Sequence, residues 1–356
     1  MEYILKKVTA KQIIPENLLL HNIQKTNVIS TEIDPTDFCN YKCSWCFTHK
    51  NRSRFQIEIE YLKKYIDNFL LNGGRSIHFS GGGEPLLFKE LFEQTPVFEN
   101  QSIINYCLKK NIAIGIITNG LYLNKLFGKV NISKLAFVRI SMDAVSSSSY
   151  SLIHKCGVDN FDRVIENIKH LVELRKSFVP ALGLSFIVDK NMELNYSMQD
   201  IIKISELAKS LKVDFVQFKH LHTTNEIEAE IEMNDMHTNC CKINWGDVEF
   251  WIHHYIAPKR KGTCNITKFI EVLAAKQIIS PCCHLFGVKK TTKIICSSKV
   301  CRYDSMNKLL NLIEFNNENK LSKEKLYKSI KEYGFHPYRL FPSAPDLFFP
   351  FRSEQT

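Results

Sequence analysis

Residues 28–46 read VISTEIDPTDFCNYKCSWC. The opening seven, VISTEID, are rich in β-branched side chains and predict a strand. Pro35 cannot donate to a strand ladder and closes the run. Three cysteines then fall within eight residues, at Cys39, Cys43 and Cys46. A strand that ends in a reactive loop is how parallel α/β sheets carry function, because their working loops leave the C-terminal ends of the strands.

Outward from that stretch, strand and helix alternate up to about residue 220. A helix is expected over 59–71, where Leu62, Tyr65, Ile66, Phe69 and Leu70 recur at helical spacing and Gly73-Gly74 supplies the stop. Strands are expected at 76–80 (SIHFS), 112–118 (IAIGIIT), 136–142 (AFVRISM), 182–188 (LGLSFIV) and 214–219 (DFVQFK). Helices fall between them at 102–110, 159–176 and 199–211. Six strand-plus-helix steps of this kind predict a parallel sheet with crossover helices. Beyond 220 the pattern breaks. Residues 220–239 are polar and acidic and read as a connector, with 226–232 as a solvated loop. Residues 240–305 are cysteine-rich with short strand-like pieces, and 307–332 are Lys-rich and helical. The tail, 334–356, holds Pro337, Pro342, Pro345 and Pro350, so it packs as an extended segment or folds over a partner. No repeat of 20–50 residues occurs.

The composition is globular: 356 residues, 44% apolar, 24% charged and 11% aromatic, which excludes a mainly disordered chain. The charge, 47 Lys+Arg less 37 Asp+Glu or +10, suits anionic partners, though a generally basic surface gives the same number. No stretch approaches the ~18 apolar residues of a membrane span. The N-terminus lacks an apolar run with a cleavage site, so a cytoplasmic protein is expected. In such a protein, twelve cysteines favour metal or redox chemistry over disulfides. Cys107 and Cys156 stand apart and read as buried thiols.

Three thiolates on one loop match three corners of a four-iron cluster and leave one iron open, whereas structural zinc takes four ligands. The second strand ends in Ser80-Gly81-Gly82-Gly83-Glu84-Pro85, where glycines admit close backbone approach and the carboxylate can accept from an amino group. The third ends in Thr118-Asn119-Gly120. The fourth carries Arg139-Ile140-Ser141-Met142-Asp143, whose Ser141 and Asp143 share a face and suit the two hydroxyls of a ribose. On successive strands in this order, CNYKCSWC, GGGEP and RISMD resemble the motif set of the radical S-adenosylmethionine (radical SAM) enzymes. The resemblance covers about 28–220.

It implies an α/β fold of the partial (β/α)6 TIM-like barrel type, followed by a small cysteine-rich α+β extension. Cys39, Cys43 and Cys46 would ligate a [4Fe–4S] cluster, and the fourth iron would chelate the amino and carboxylate groups of S-adenosylmethionine (SAM). Gly82, Gly83 and Glu84 would hold its amino end, and Ser141 and Asp143 its ribose. Asn119 and Ser185 would assist, and the backbone near Trp45 and Phe47 would line the adenine. An electron from the cluster, supplied by a donor such as flavodoxin or ferredoxin, would cleave the sulfonium. The resulting 5′-deoxyadenosyl radical would abstract a hydrogen atom from substrate.

Further along, Cys264 and Ile279-Ser280-Pro281-Cys282 resemble the auxiliary-cluster extensions of this family, the SPASM and twitch types. Gln277 stands where their hairpin has a glycine. One auxiliary [4Fe–4S] cluster on Cys264, Cys282, Cys296 and Cys301 is expected, with a zinc site on Cys282, Cys283, His284 and a later cysteine as the alternative. Cys240 or Cys241 could replace one of these ligands, or a free thiol could donate a hydrogen atom. His253 and His254 point to opposite faces of a strand and read as structural. Gln217 and Lys219 share the face of the last strand that looks to the mouth. The expected division is 1–27, an N-terminal segment; 28–222, the core; 223–305, the auxiliary region; and 306–356, a helix and Pro/Phe-rich tail. With about 27 residues before the barrel, a polar small-molecule substrate of sugar, aminoglycoside or nucleoside type is favoured. Dehydrogenation, epimerisation or rearrangement would be the outcome. The alternatives are a maturase of a ribosomal peptide and, last, a non-catalytic iron–sulfur sensor or an RNA-acting protein. No basic run with interleaved aromatics supports nucleic acid.

Overall fold

The computed structural model describes residues 30–46, 48, 54–175, 179–221, 226–253, 270–277 and 279–280. The expected auxiliary ligands Cys264, Cys282, Cys296 and Cys301, the adenine-lining Phe47, and the segments 1–27 and 306–356 lie outside the described residues.

All six expected strands form: β1 (Ser30–Ile33), β2 (Ser76–Phe79), β3 (Ala113–Thr118), β4 (Phe137–Ser141), β5 (Ala181–Val188) and β6 (Phe215–His220). Each pairs in parallel with the next. The crossovers carry α1 (Ile59–Leu71), α2 (Ile103–Lys109), α3 (Ser147–His154), α4 (Asn160–Leu174) and α5 (Met198–Ser210). Helix α1 buries Leu62, Tyr65, Ile66 and Phe69, the stripe its sequence spacing predicts. Ser102 caps α2 through its hydroxyl, and Ser197 with Asp200 closes a capping box on α5.

Past residue 220 the expectation of a connector is corrected. Residues 226–240 form helix α6 (Glu226–Cys240), and β7 (Glu249–His253) then adds in parallel to β6. The acidic residues conceal a helical stripe: Ala229, Met233, Met236 and Cys240 are all fully buried, at steps of four, three and four. Within the supposed solvated loop, Glu232 is buried and accepts from His220 at 3.0 Å and from the Lys190 amide at 3.1 Å. Cys240, weighed as a spare ligand, packs in the core against the Met236 sulfur, 3.8 Å away.

The far edge is also occupied. Strand β8 (Ile270–Leu273) pairs in parallel with β1, and β9 (Ile279–Ser280) returns antiparallel to β8. The sheet runs β7-β6-β5-β4-β3-β2-β1-β8-β9 and stays open among the described residues.

Alternation along the strands sorts the two faces. Ile33, Ile77, Phe79, Ile116, Ile140, Leu184 and Phe218 point to the helices and share one core with Leu62, Ile104, Val164 and Ile201. The opposite, inner face carries Glu32, His78, Arg139, Ser185 and Gln217, all buried, above an aromatic floor of Phe137, Phe215 and Trp251. The Phe215 and Trp251 rings stack at 3.8 Å and 13°. Gly115 and Gly183 make room for that floor, since a Cβ on either would run into the Phe137 or Phe215 ring.

Candidate active site

The cysteine loop leaves β1 and is held from beneath. Tyr41 is buried, edge-on to Tyr150 with ring centroids 6.1 Å apart. The Lys42 and Ser44 amides donate to the His154 and Ile153 carbonyls at 3.1 and 3.2 Å, so the C-terminal turn of α3 fixes the loop. Cys39, Cys43 and Cys46 remain partly exposed. The Cys43 sulfur lies 3.1 Å from His154 Nδ1, while His154 Nε2 donates to the Met142 carbonyl at 3.2 Å. Burial pulls the His154 pKa down, and Asp143 and the Met142 carbonyl oppose the shift. The Cys46 sulfur is 3.1 Å from Thr48 Oγ1, which donates to the Gly82 carbonyl at 2.7 Å and ties the cysteine loop to the glycine loop.

Burial pushes the Cys43 thiol pKa up, and Asp143, Cys39 and Cys46 push it further. Negative charge accumulating among these groups is relieved by a bound cation. Among the described residues no three His, Cys, Asp or Glu side chains converge on one metal ion. A four-iron cubane does not require that, because each thiolate takes a different iron. The donor set fits such a cluster.

The glycine loop packs tightly on residues 36–38. A Cβ on Gly83 would lie 2.6 Å from the Thr36 carbonyl oxygen and closer still to that of Phe38. Glu84 is buried, and its carboxylate accepts from the Leu86 amide at 3.1 Å, the Thr118 hydroxyl at 2.6 Å and the Asn119 amide at 2.8 Å. Burial raises its pKa, and these three donors oppose the shift. Glu84 therefore joins the loops after β2 and β3. Asn119 continues the link by donating to Asn40 Oδ1 at 2.8 Å within the cysteine loop.

Ser141 and Ser185 are register partners at the ends of β4 and β5. The Ser185 hydroxyl is buried and makes no hydrogen bond, as fits a group that meets a cofactor. Asp143 adopts φ +54°, and its Oδ1 accepts from the Ile187 amide at 2.8 Å. Asn195 braces that turn, donating to the Asp143 and Ile187 carbonyls at 2.8 Å each. Trp45 packs half-buried on the core.

The site so assembled brings together Cys39, Cys43, Cys46, Gly82, Gly83, Glu84 and Asn119. Sequence reasoning missed His154, Thr48 and Thr118. Helix α3 carried a readable signal, with Tyr150, Ile153 and His154 buried at helical spacing behind the Ser146 cap.

Residues 33–193 match the family model of the Radical SAM superfamily. Over those residues the chain is similar to radical SAM domains, which work with a [4Fe–4S] cluster and SAM. A probable GTP 3′,8-cyclase from Saccharolobus islandicus (strain Y.N.15.51 / Yellowstone #2) is 29% identical over 191 residues, 52% of this chain and 55% of that one. The GTP 3′,8-cyclase of Aliarcobacter butzleri (strain RM4018) is 26% identical over 196 residues, 52% of this chain and 54% of that one. This chain thus spans about half the length of the curated relatives it matches. Among solved structures, Streptococcus suis SuiB bound to S-adenosylmethionine superimposes with a TM-score of 0.56 at 16% identity, covering 78% of this chain and 65% of that one. Histidine-tagged anSMEcpe with bound AdoMet gives 0.53 at 17% identity, covering 88% and 98%. These two share the fold, a partial barrel whose parallel sheet does not close. Among the described residues no helix is long and apolar enough to cross a membrane.

Proposed function

We propose that this protein uses SAM to abstract a hydrogen atom from a polar small molecule of sugar, aminoglycoside or nucleoside type. The observation that carries the substrate class is the inner face of the sheet. There Glu32, His78, Arg139 and Gln217 are buried, beside the stacked Phe215 and Trp251 rings. A polar substrate matches such a lining better than an apolar one. Relatives named for a nucleotide reaction point the same way.

The chain's own residues divide the work. Cys39, Cys43 and Cys46 hold the cluster, with His154 and Thr48 setting the Cys43 and Cys46 sulfurs. Gly82 and Gly83 bring backbone close to the amino end of SAM, and Glu84 keeps the loops after β2 and β3 in step. Ser141, Asp143 and Ser185 face its ribose, Asn119 orders the approach, and Trp45 with Phe47 borders the adenine. When bound, the cluster and SAM supply a 5′-deoxyadenosyl radical, formed by reductive cleavage of the sulfonium. The stacked Phe215 and Trp251 rings give the inner face an apolar patch. Oxidoreductase or epimerase outcomes, a flavodoxin- or ferredoxin-type electron donor and a second cluster on Cys264, Cys282, Cys296 and Cys301 complete the proposal. The division at 222 and 305 goes with that second cluster.

Anaerobically reconstituted protein given dithionite and SAM is expected to release 5′-deoxyadenosine, and Cys43→Ala to release none. Persistent product in that variant defeats the reading. About eight iron atoms per chain are expected with the second cluster, and about four without it.

A further inference from the structure

Asn40 stands between the first cluster cysteine and the buried Tyr41, and one half of its amide is committed. Its Oδ1 accepts from Asn119 Nδ2 at 2.8 Å. Which atom of each amide is oxygen and which is nitrogen follows from the backbone. Asn119 Oδ1 accepts from the Leu121 amide at 3.1 Å, so the Asn119 nitrogen is the atom that faces Asn40, and that donor needs an oxygen opposite it. Asn119 is itself fixed, since its backbone amide donates to Glu84 Oε2 at 2.8 Å and its carbonyl accepts from the Tyr150 hydroxyl at 3.2 Å.

The other half is unspent. Asn40 Nδ2 is buried and makes no hydrogen bond. Buried amide nitrogens are nearly always partnered, so an orphan on the cysteine loop points to a neighbour that changes when the cluster is present. The Cys39 sulfur is that neighbour. As a thiol it lies 4.0 Å from Asn40 Oδ1, and it accepts from the Tyr41 amide at 3.5 Å. As an iron-bound thiolate it has no proton to give and only accepts. The oxygen of the Asn40 amide then has nothing to offer it, whereas the nitrogen of the same amide does. The other two cysteine sulfurs have closer side-chain partners in place, His154 at Cys43 and Thr48 at Cys46, each at 3.1 Å.

We propose that Asn40 is a positioning residue of the cluster, its Nδ2 donating to the Cys39 sulfur once that sulfur binds iron. This deepens the reading above and rests on one part of it, the cluster at Cys39, Cys43 and Cys46, and not on the substrate. A hydrogen bond to a cluster sulfur stabilises the added negative charge of the reduced cluster, and so raises the reduction potential. Asn40 is tied through Asn119 to Glu84, so the same amide keeps the first cysteine in step with the loops after β2 and β3.

The test reads the cluster and needs no turnover. Full-length protein is reconstituted anaerobically, reduced with dithionite and followed by electron paramagnetic resonance. The cluster on Cys39, Cys43 and Cys46 is recognised as the signal that shifts when SAM is then added. In protein carrying asparagine isotopically labelled at its side-chain nitrogen, that cluster is expected to couple to the label, and the coupling is expected to vanish in Asn40→Asp. Asn40→Asp keeps the oxygen that Asn119 needs and replaces the donor with an acceptor. At a fixed applied potential its ratio of reduced to oxidised cluster is expected to fall about tenfold or more below wild type, about 59 mV for one electron. Asn40→Ala removes the donor without adding charge, shifts the ratio in the same direction, and gives the reading if Asn40→Asp does not load iron. A wild-type potential in the variants overturns the proposal, as does a wild-type cluster with no coupling to the label. Release of 5′-deoxyadenosine, scored on the same preparations, tests the reaction proposed above independently of either result.

Discussion

His154 shows how much a single side chain decides here. Its ring touches the Cys43 sulfur on one side and the Met142 carbonyl on the other, and Tyr41 and Tyr150 pack on it at 5.4 and 4.3 Å between centroids. A cluster ligand whose outer partner is removed loses orientation, which in metal sites costs about 10–100-fold in affinity. His154→Leu fills similar space without a ring nitrogen. It is expected to fold, to take up iron on reconstitution and to lose it to a chelator ~10–100-fold faster than wild type. Iron retained at the wild-type rate would mean that the backbone bonds from Lys42 and Ser44 to α3 suffice. His154 was not legible in the sequence because nothing near it marks a metal site; it lies 111 positions from its cysteine and meets it only through the fold. The cysteines, the glycine loop and Glu84 were legible, because each occupies a strand end whose spacing is local. What the sequence did not disclose about Glu84 is that its carboxylate already accepts from Leu86, Thr118 and Asn119, a set of partners split between two loops.

Elements follow the same division between local and distant causes. The expected helix over 59–71 and the six strands appear within a residue or two, since apolar periodicity alone settles them. Helix α6 was hidden because acidic residues interrupt its apolar ones throughout, although Ala229, Met233, Met236 and Cys240 keep the helical step. The β8–β9 hairpin sits between these cases. The family pattern expects a glycine where this chain has Gln277, and Gln277 indeed takes φ +60°, the left-handed region. There a side chain costs about 1–2 kcal/mol that glycine avoids, part of which glycine loses again in the freer unfolded chain. Its amide still bonds the Ala274 carbonyl at 2.8 Å, so the turn forms despite the residue. Gln277→Gly is therefore expected to stabilise the protein by roughly 0.5–1 kcal/mol in denaturant unfolding. An unchanged or lower stability would show that the Gln277 side chain makes good its own strain.

At the scale of the whole molecule, the sheet joins distant parts of the chain. Strand β1 (Ser30–Ile33) has β2 on one side and β8 (Ile270–Leu273) on the other, with Ser30 against Ile270 and Ile33 against Leu273. The Asp34 amide extends that seam to the Leu273 carbonyl at 2.8 Å, immediately before the cysteine loop. The strand that launches the cluster ligands is thus an interior strand only because a segment some 240 positions later lies beside it. Without that segment, β1 would present a row of unpaired amides and carbonyls at a flat, buried-type edge, the kind that pairs with other chains. A chain ending at residue 260 keeps all three cluster cysteines and β1–β7, yet it is expected to elute mainly as large aggregates in size-exclusion chromatography. Its soluble fraction is expected to hold less iron than the full chain, because the cysteine loop then hangs from an edge. A monodisperse truncated protein with full iron content would refute this dependence and would make the core of the fold self-sufficient before β8.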